Sequence, residues 1–272
     1  MSSVPNLQTC TFENVRVDGC GEIVDRQTGR AEYFTVSLAD GVTLDLVAIP
    51  GGEFMMGDDL HHPDERPVHR VTVPSFFMSK YPITQAQYRS IMGADAGFGL
   101  GAAYPIERVS WDEAIEFCTR LSQKLGDRYT LPSEAQWEYA CRAGTQTAFH
   151  FGETITPEVV NYNGDFPYAG APTGENRARA TPVGSFPPNQ FGLYDMHGNV
   201  WEWCADEYRP SYHDAPIDGS AWTTGAVPND VKRVMRGGAW DYVAKGCRSA
   251  VRGSLAPGSR MAGCGFRVVF RR

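Results

Sequence analysis

The sequence predicts a loop-rich α+β domain, with strands gathered toward the two ends of the chain and a few short helices between them. Three observations carry that expectation. Glycine and proline number 29 and 18 in 272 residues, a density of turn formers that leaves little room for long regular elements. β-Branched and aromatic residues cluster between turn signals over residues 11–50, the pattern of short strands. Three later segments open with the same helix-start signature.

In chain order, residues 12–17, 22–25, 32–38 and 43–49 read as strands, followed by a Pro-Gly-Gly turn at 50–52 and a strand at 54–57. The polar run 58–68 reads as a loop, and alternation resumes at 69–73. Helices start at Thr84 with Gln87, Ser110 with Glu113, and Ser133 with Gln136. Each pair is a Ser/Thr whose partner three residues on satisfies the first free amides reciprocally. In the second helix Ala114, Phe117, Cys118 and Leu121 recur at helical spacing, which makes Cys118 a core residue rather than a nucleophile. The third is expected to run to Ala143 and stop at Gly144, a left-handed cap. Residues 152–188 lose apolar periodicity and read as one long loop that something must hold. Short strands at 233–236 and 266–270 close the chain. The organisation expected is one domain over residues 45–272 with a β extension, residues 1–44, packed on it.

Twenty-five basic against 32 acidic side chains, a net charge of −7, argue against a general nucleic-acid binder. The first residues lack the basic and apolar regions of a secretory signal, and no apolar run is long enough to span a bilayer. Seven cysteines are scattered without a CxxC pair, which implies reduced, mostly buried thiols and a cytoplasmic protein. His61 and His62, followed by Asp64 and Glu65, have the composition of a metal site but read as a solvated loop tip, since adjacent side chains rarely converge on one ion.

The most informative stretch is FGLYDMHGNVWEW, residues 191–203. Gly198 and Asn199 make a tight turn, after which Trp201 and Trp203 face one way and Glu202 the other. Asp195 adds a second carboxylate around the same turn, a grouping of oxygens that suits calcium. Taken alone, two core tryptophans on a capped turn explain it more simply. The motif has company, however. IPGGEFMMG (49–57), DERPVHRVTV (64–73), YPITQAQY (81–88), PIERVSWDEAIEFC (105–118), YTLPSEAQWEYACRAG (129–144), RGGAW (236–240) and GFRVV (265–269) follow in order. Together they resemble the formylglycine-generating enzyme, or sulfatase-modifying factor, family over residues 45–270. The resemblance implies a variant of the C-type-lectin fold with small antiparallel sheets, a few helices and bound calcium.

It also implies two calcium sets. One would use the Asn161 side chain, the Tyr162 carbonyl, the Glu175 carboxylate and the Arg177 carbonyl; the family usually has Asp and a neutral residue at the last two positions. The other would use Asp195, the carbonyls of Gly198 and Val200, and Glu202, and looks intact. Such ions would staple the 152–188 loop. Members that oxidise a sulfatase cysteine hold copper between two cysteines spaced C-x4-C, because Cu(I) needs soft thiolates. Aligning Arg252 and the GFRVV end places Ala244 and Ser249 at those positions, so no copper is expected and no catalytic residue is assigned. Cys247 and Cys264 share the terminal segment, but their spacing fixes no common geometry. A second enzymatic branch uses a three-histidine iron site in an added helical domain; the six histidines lack that spacing.

Within residues 236–267 a framework of family residues is retained, including Arg236, Trp240, Arg248, Arg252, Arg260 and Arg267. Departures fall in the gaps. That pattern resembles the variable proteins of diversity-generating retroelements, which display a randomised surface on this fold. The reading is a non-catalytic module whose surface, lined by Trp240, Tyr242, Val243, Lys245, Val251, Leu255 and Met261, binds a protein or peptide ligand. The alternative is a copper- or metal-dependent, formylglycine-generating-type enzyme with an unrecognised metal arrangement.

Overall fold

The computed structural model describes residues 6–93, 99–224 and 231–271. The first half runs β1 (Gln8–Val17), β2 (Ile23–Ala39), β3 (Val42–Ile49), β4 (Gly52–Met56), β5 (His69–Val73), β6 (Phe76–Ser79), α1 (Gln85–Met92) and α2 (Trp111–Leu125). It continues with β7 (Tyr129–Thr130), α3 (Glu134–Arg142), β8 (Trp201–Glu207), β9 (Arg233–Arg236), β10 (Gly253–Leu255), β11 (Cys264–Gly265) and β12 (Val269–Phe270). A six-stranded sheet has the order β1-β2-β3-β6-β12-β7, a four-stranded sheet the order β10-β9-β8-β11, and β4 pairs with β5. Pairing is antiparallel except between β11 and β8. The loop-rich α+β expectation holds.

Two details differ from the sequence reading. The stretches expected as separate strands at 22–25 and 32–38 form one strand, β2, because its polar middle still pairs with β1 from Ile23 to Tyr33. The β extension also joins the main sheet directly, since β3 crosses residue 45 and pairs with β2 on one side and β6 on the other.

Alternation along β3 explains where the core sits. Leu44 and Leu46 face one way, against Phe117, Leu121 and Trp203; Val47 and Ile49 face the other, against Met78 and Trp137. The central sheet is therefore buried on both faces, with α1 and α2 on one side and α3 on the other. Cys118 lies in the first cluster, where burial pushes its thiol pKa far up, as a core cysteine requires. A third cluster joins Val15 and Val17 of β1 to Phe149, Phe151, Ile155, Val159, Val160 and Tyr162. The 152–188 loop thus has core of its own. Its apolar anchors recur at no fixed period, which is why periodicity missed them.

All three capping boxes form, with the Thr84, Ser110 and Ser133 hydroxyls each accepting the amide three residues on. Ala143, not Gly144, is the first left-handed residue after α3, at φ 44°. Ser133 also donates to the Gly219 carbonyl at 2.8 Å. Ser133→Ala removes both bonds from a buried site and is expected to cost about 2 kcal/mol, measurable by urea unfolding. Among the described residues no helix is long and apolar enough to cross a membrane.

Candidate functional site

The framework arginines turn out to be anchors. Arg236 donates to Glu134 (3.1 Å) and Glu138 on α3, and to the carbonyls of Ser249 (2.7 Å) and Ala250 (3.0 Å). Arg252 forks onto Glu134 at 2.7 and 2.9 Å. Arg248 forks onto Glu65 at 2.7 and 3.1 Å and reaches Asp58 at 3.0 Å. Arg267 forks onto Glu202 at 2.6 and 2.7 Å. All four arginines are buried, and a forked pairing supplies the compensation that a buried charge demands. Burial alone would raise the Glu138 carboxyl, but Arg142 and Arg236 hold it below its ordinary value. Arg260 differs, pairing with Glu113 at the surface.

Asp206 shows the opposite balance. Burial pushes it up to about 7, and neighbouring Glu134 adds to the shift, although it accepts the amides of Glu134 and Trp222. The native state therefore keeps a proton that the unfolded chain releases above its ordinary value of 3.8. Stability from this group falls as pH rises from that value to about 7. Asp206→Asn is expected to flatten that slope in urea titrations across the window, whatever its absolute stability.

The 58–68 loop is not a solvated tip. Pro63–Glu65 forms a 3-10 turn, Glu65 is fully buried against Arg248, and His61 is half-buried, leaving His62 exposed.

The residues assigned to a display surface separate into three groups. Tyr242 and Val243 are 37% and 40% exposed, and Lys245 is exposed beside them. Trp240 is half-buried, its indole donating to Glu107 at 3.3 Å, and Leu255 and Met261 lean on the first core cluster. Val251 is a correction: it is buried in that cluster, because the Arg252 anchor next to it pulls the chain inward, and it offers no surface to a partner. Sequence reasoning missed Phe166, 57% exposed, whose carbonyl accepts the Ala244 amide at 3.2 Å. Asn163 donates to the Tyr242 carbonyl at 2.9 Å, so the 163–166 loop is laced to the 242–244 turn. The only sequence signal for Phe166 was an aromatic residue in an otherwise polar loop.

The two calcium sets prove to be neighbours. Asn199 donates its amide to the Asn161 carbonyl at 2.8 Å, and the Asn161 side chain donates to Asn199 at 3.2 Å. Residue 198 must be glycine there: its φ is +69° and a Cβ would collide with the Asn161 carbonyl. In the first set, Asn161 is fully buried and its Oδ1 has no partner, an orphan acceptor of the kind a hard cation satisfies. Asn163 bridges Asn176, which lays the strand-like run after Asn161 alongside Glu175 and Arg177. The Glu175 carboxylate, however, is exposed and pairs with Arg177 at 2.9 Å. In the second set both Glu202 oxygens are taken by Arg267, and Trp137 donates to one of them at 2.6 Å. Asp195 is pushed up to about 6 by burial, with the Gly184 amide and Arg267 working against the shift. In oxygen type both sets suit calcium, but Glu175 is committed to Arg177 and Glu202 to Arg267. The unsatisfied oxygen lies in the first set, whereas the sequence favours the second.

Ala244 and Ser249 are both fully buried. Cys247 lies in the third cluster, its thiol pushed up to about 12 by burial, while Cys264 lies in the first with its sulfur 3.3 Å from that of Met235. The two thiols belong to separate core clusters and are not disulfide-bonded.

Comparison with known proteins agrees with this architecture. The sulfatase-modifying factor enzyme 1-like domain matches residues 37–272. The formylglycine-generating enzyme of Mus musculus is 29% identical over 287 residues, covering 82% of this chain and 74% of that protein. The structure of PvdO from Pseudomonas aeruginosa superposes with a TM-score of 0.76 at 31% identity, over 88% of this chain and 98% of that one. Treponema denticola variable protein 1 shares the fold, with a TM-score of 0.72 at 23% identity over 88% of this chain and 99% of that one. The arginine-pinned C-terminal segment, the GNVWEW turn and the lectin-like topology therefore belong together, and this chain is a member of the sulfatase-modifying factor enzyme 1-like domain family.

Proposed function

We propose that this chain is a binding module: a lectin-like scaffold, held by buried arginine–carboxylate pairs and by calcium, that presents the 240–246 turn to a protein or peptide ligand. The observation that carries the reading is the division of labour within that turn. Exposed Val243 and Lys245 alternate with buried Ala244 and Cys247, so these outward side chains are free to vary without touching the core, while part-exposed Tyr242 sets its ring edge-on against buried Trp201 at 5.0 Å. The name of the Treponema denticola protein, which shares the fold, supports the same idea of a variable surface. Calcium, when bound, supplies positive charge to the oxygen-lined run from Asn161 to Glu202.

The double variant Val243→Ser, Lys245→Ser should change stability by less than about 1 kcal/mol in urea unfolding. A loss of several kcal/mol would show that the turn is packing rather than display. A near-copy of the coding region for residues 240–265 beside a reverse-transcriptase gene, with mismatches at template adenines, would support diversification; mismatches elsewhere would count against it. The second reading, a metal-dependent oxidase, is favoured by the likeness to formylglycine-generating enzymes. Titration with Cu(I) separates the two. Stoichiometric binding that disappears in a Cys247→Ala, Cys264→Ala double variant would overturn the binding-module reading.

A further inference from the structure

Asn161 is held so that its side-chain oxygen is left over. Its Nδ2 donates to the Arg179 carbonyl at 3.0 Å and to Asn199 Oδ1 at 3.2 Å, which uses both amide hydrogens. Turning the amide over would set its oxygen against two acceptors, so Oδ1 is fixed as the orphan in a fully buried residue. The bond to Arg179 and the Asn163–Asn176 bridge tie the 175–179 segment to the run after Asn161 at two points. The Gly174 amide adds a bond to the Gly164 carbonyl at 2.9 Å, and the Asn176 side chain one to Asp165 at 3.1 Å. Glu175 and Arg177 thus sit on a segment laced to that run, and their side chains govern the negative charge the first set can offer.

Arg177 is pinned on three sides. Its Nη2 donates to the Pro157 carbonyl and to Glu175, each at 2.9 Å, and its guanidinium lies 5.2 Å from the centre of the Phe186 ring. Nη1 is buried without a partner, so the group is not fully satisfied where it sits. Glu175 is the opposite, a carboxylate 65% exposed at the end of a flexible stem. Glu22 and Glu158 stand exposed in the wall of the cavity of about 270 Å³ that Glu175 and Arg177 share, and Arg179 is exposed two residues on. Water and salt screen these three charges, whereas the Arg177 charge is mostly covered and in contact with its carboxylate.

We propose that Arg177 is an internal competitor of calcium: its guanidinium holds the one carboxylate of the first set and keeps the affinity of that set low. The proposal rests on the calcium reading above. Of the donors in that set, only Glu175 carries a formal negative charge, and calcium sites are tuned by the number of such charges. Paired with Arg177, that charge is cancelled. To serve the ion, Glu175 must turn from Arg177 toward Asn161, which leaves a largely buried cation without its counterion. Arg177 enters the set through its backbone carbonyl alone, so its side chain can be replaced without removing a donor.

Calorimetric titration of the full chain with calcium tests this. Arg177→Gln should tighten binding at least about tenfold, and Arg177→Lys, which keeps the charge, by less than about threefold. Arg179→Gln removes an equal but exposed charge, and it should also change affinity by less than about threefold. The gain in Arg177→Gln should vanish when Asn161→Ala is added, which assigns it to the first set. Equal affinity in the wild type and Arg177→Gln would overturn the proposal and leave calcium in place. The same gain in Arg177→Lys or Arg179→Gln would overturn it too, since lost packing or a general charge effect then explains it. A gain that survives Asn161→Ala would put the ion elsewhere and end the proposal. No calcium binding in the wild type or any variant would overturn both this proposal and the calcium-held scaffold.

Discussion

Arg267→Ala is expected to destabilise the fold by about 3–5 kcal/mol, the cost of leaving a buried carboxylate without its cation. Glu202 has no exposure to water, and Arg267 occupies both of its oxygens. Its other partner, the Trp137 indole, is neutral and cannot replace that charge. Arg267 also donates to the carbonyls of Ser79 and Tyr194, which would be left short of a donor. A loss of this size is a large share of the roughly 5–15 kcal/mol that holds a typical domain folded. Urea unfolding measures it directly. Adding Glu202→Gln to Arg267→Ala should recover part of the loss, because the stranded charge is then gone. If calcium abolishes the cost of Arg267→Ala, the ion itself sits on Glu202 and the pair is not the main support.

Removal of calcium is the second large effect expected. A ligand that binds only the folded state at about a thousand times its dissociation constant adds about 4 kcal/mol. EGTA should therefore lower the melting temperature of the wild type, and Asn161→Ala should lose most of that response. The variant also gives up hydrogen bonds to the Arg179 carbonyl and to Asn199, so its absolute stability falls. The informative quantity is the difference between calcium and EGTA, which a purely structural asparagine would leave intact. Acid should weaken the response as well. Burial pushes Asp195 up to about 6, so below that value the second set offers a neutral carboxyl instead of an anion. An identical melting curve with and without EGTA would remove calcium from the account.

Much of the fold was legible because its signals are short-range. A capping box lies within four residues, and all three boxes form where the sequence places them. Alternation in GNVWEW sends Trp201 and Trp203 into one core cluster and Glu202 toward Trp137 in the other. The display turn was legible in part. Val243 and Lys245 face outward, but the Tyr242 ring leans on Trp201 and Val251 is buried, and a residue's distance from the framework cannot say which way its side chain points. The long loop was misjudged as lacking core, because Ile155, Val159, Val160 and Tyr162 pack against β1 and not against one another in any regular period.

The lectin-like fold and the helix starts were determined by the sequence alone, through local chemistry and an ordered set of motifs. What each framework arginine is for was decided only by the tertiary structure. Arg267 meets Glu202 across 65 positions and Arg248 meets Glu65 across 183. The same holds for His61 and Tyr168, 107 positions apart, which turn an expected loop tip into the wall of a cavity. Hydrogen bonds between neighbours in sequence can be read from spacing. Pairings over such distances are set by which strands lie side by side, and by the requirement that every buried charge find its counterpart.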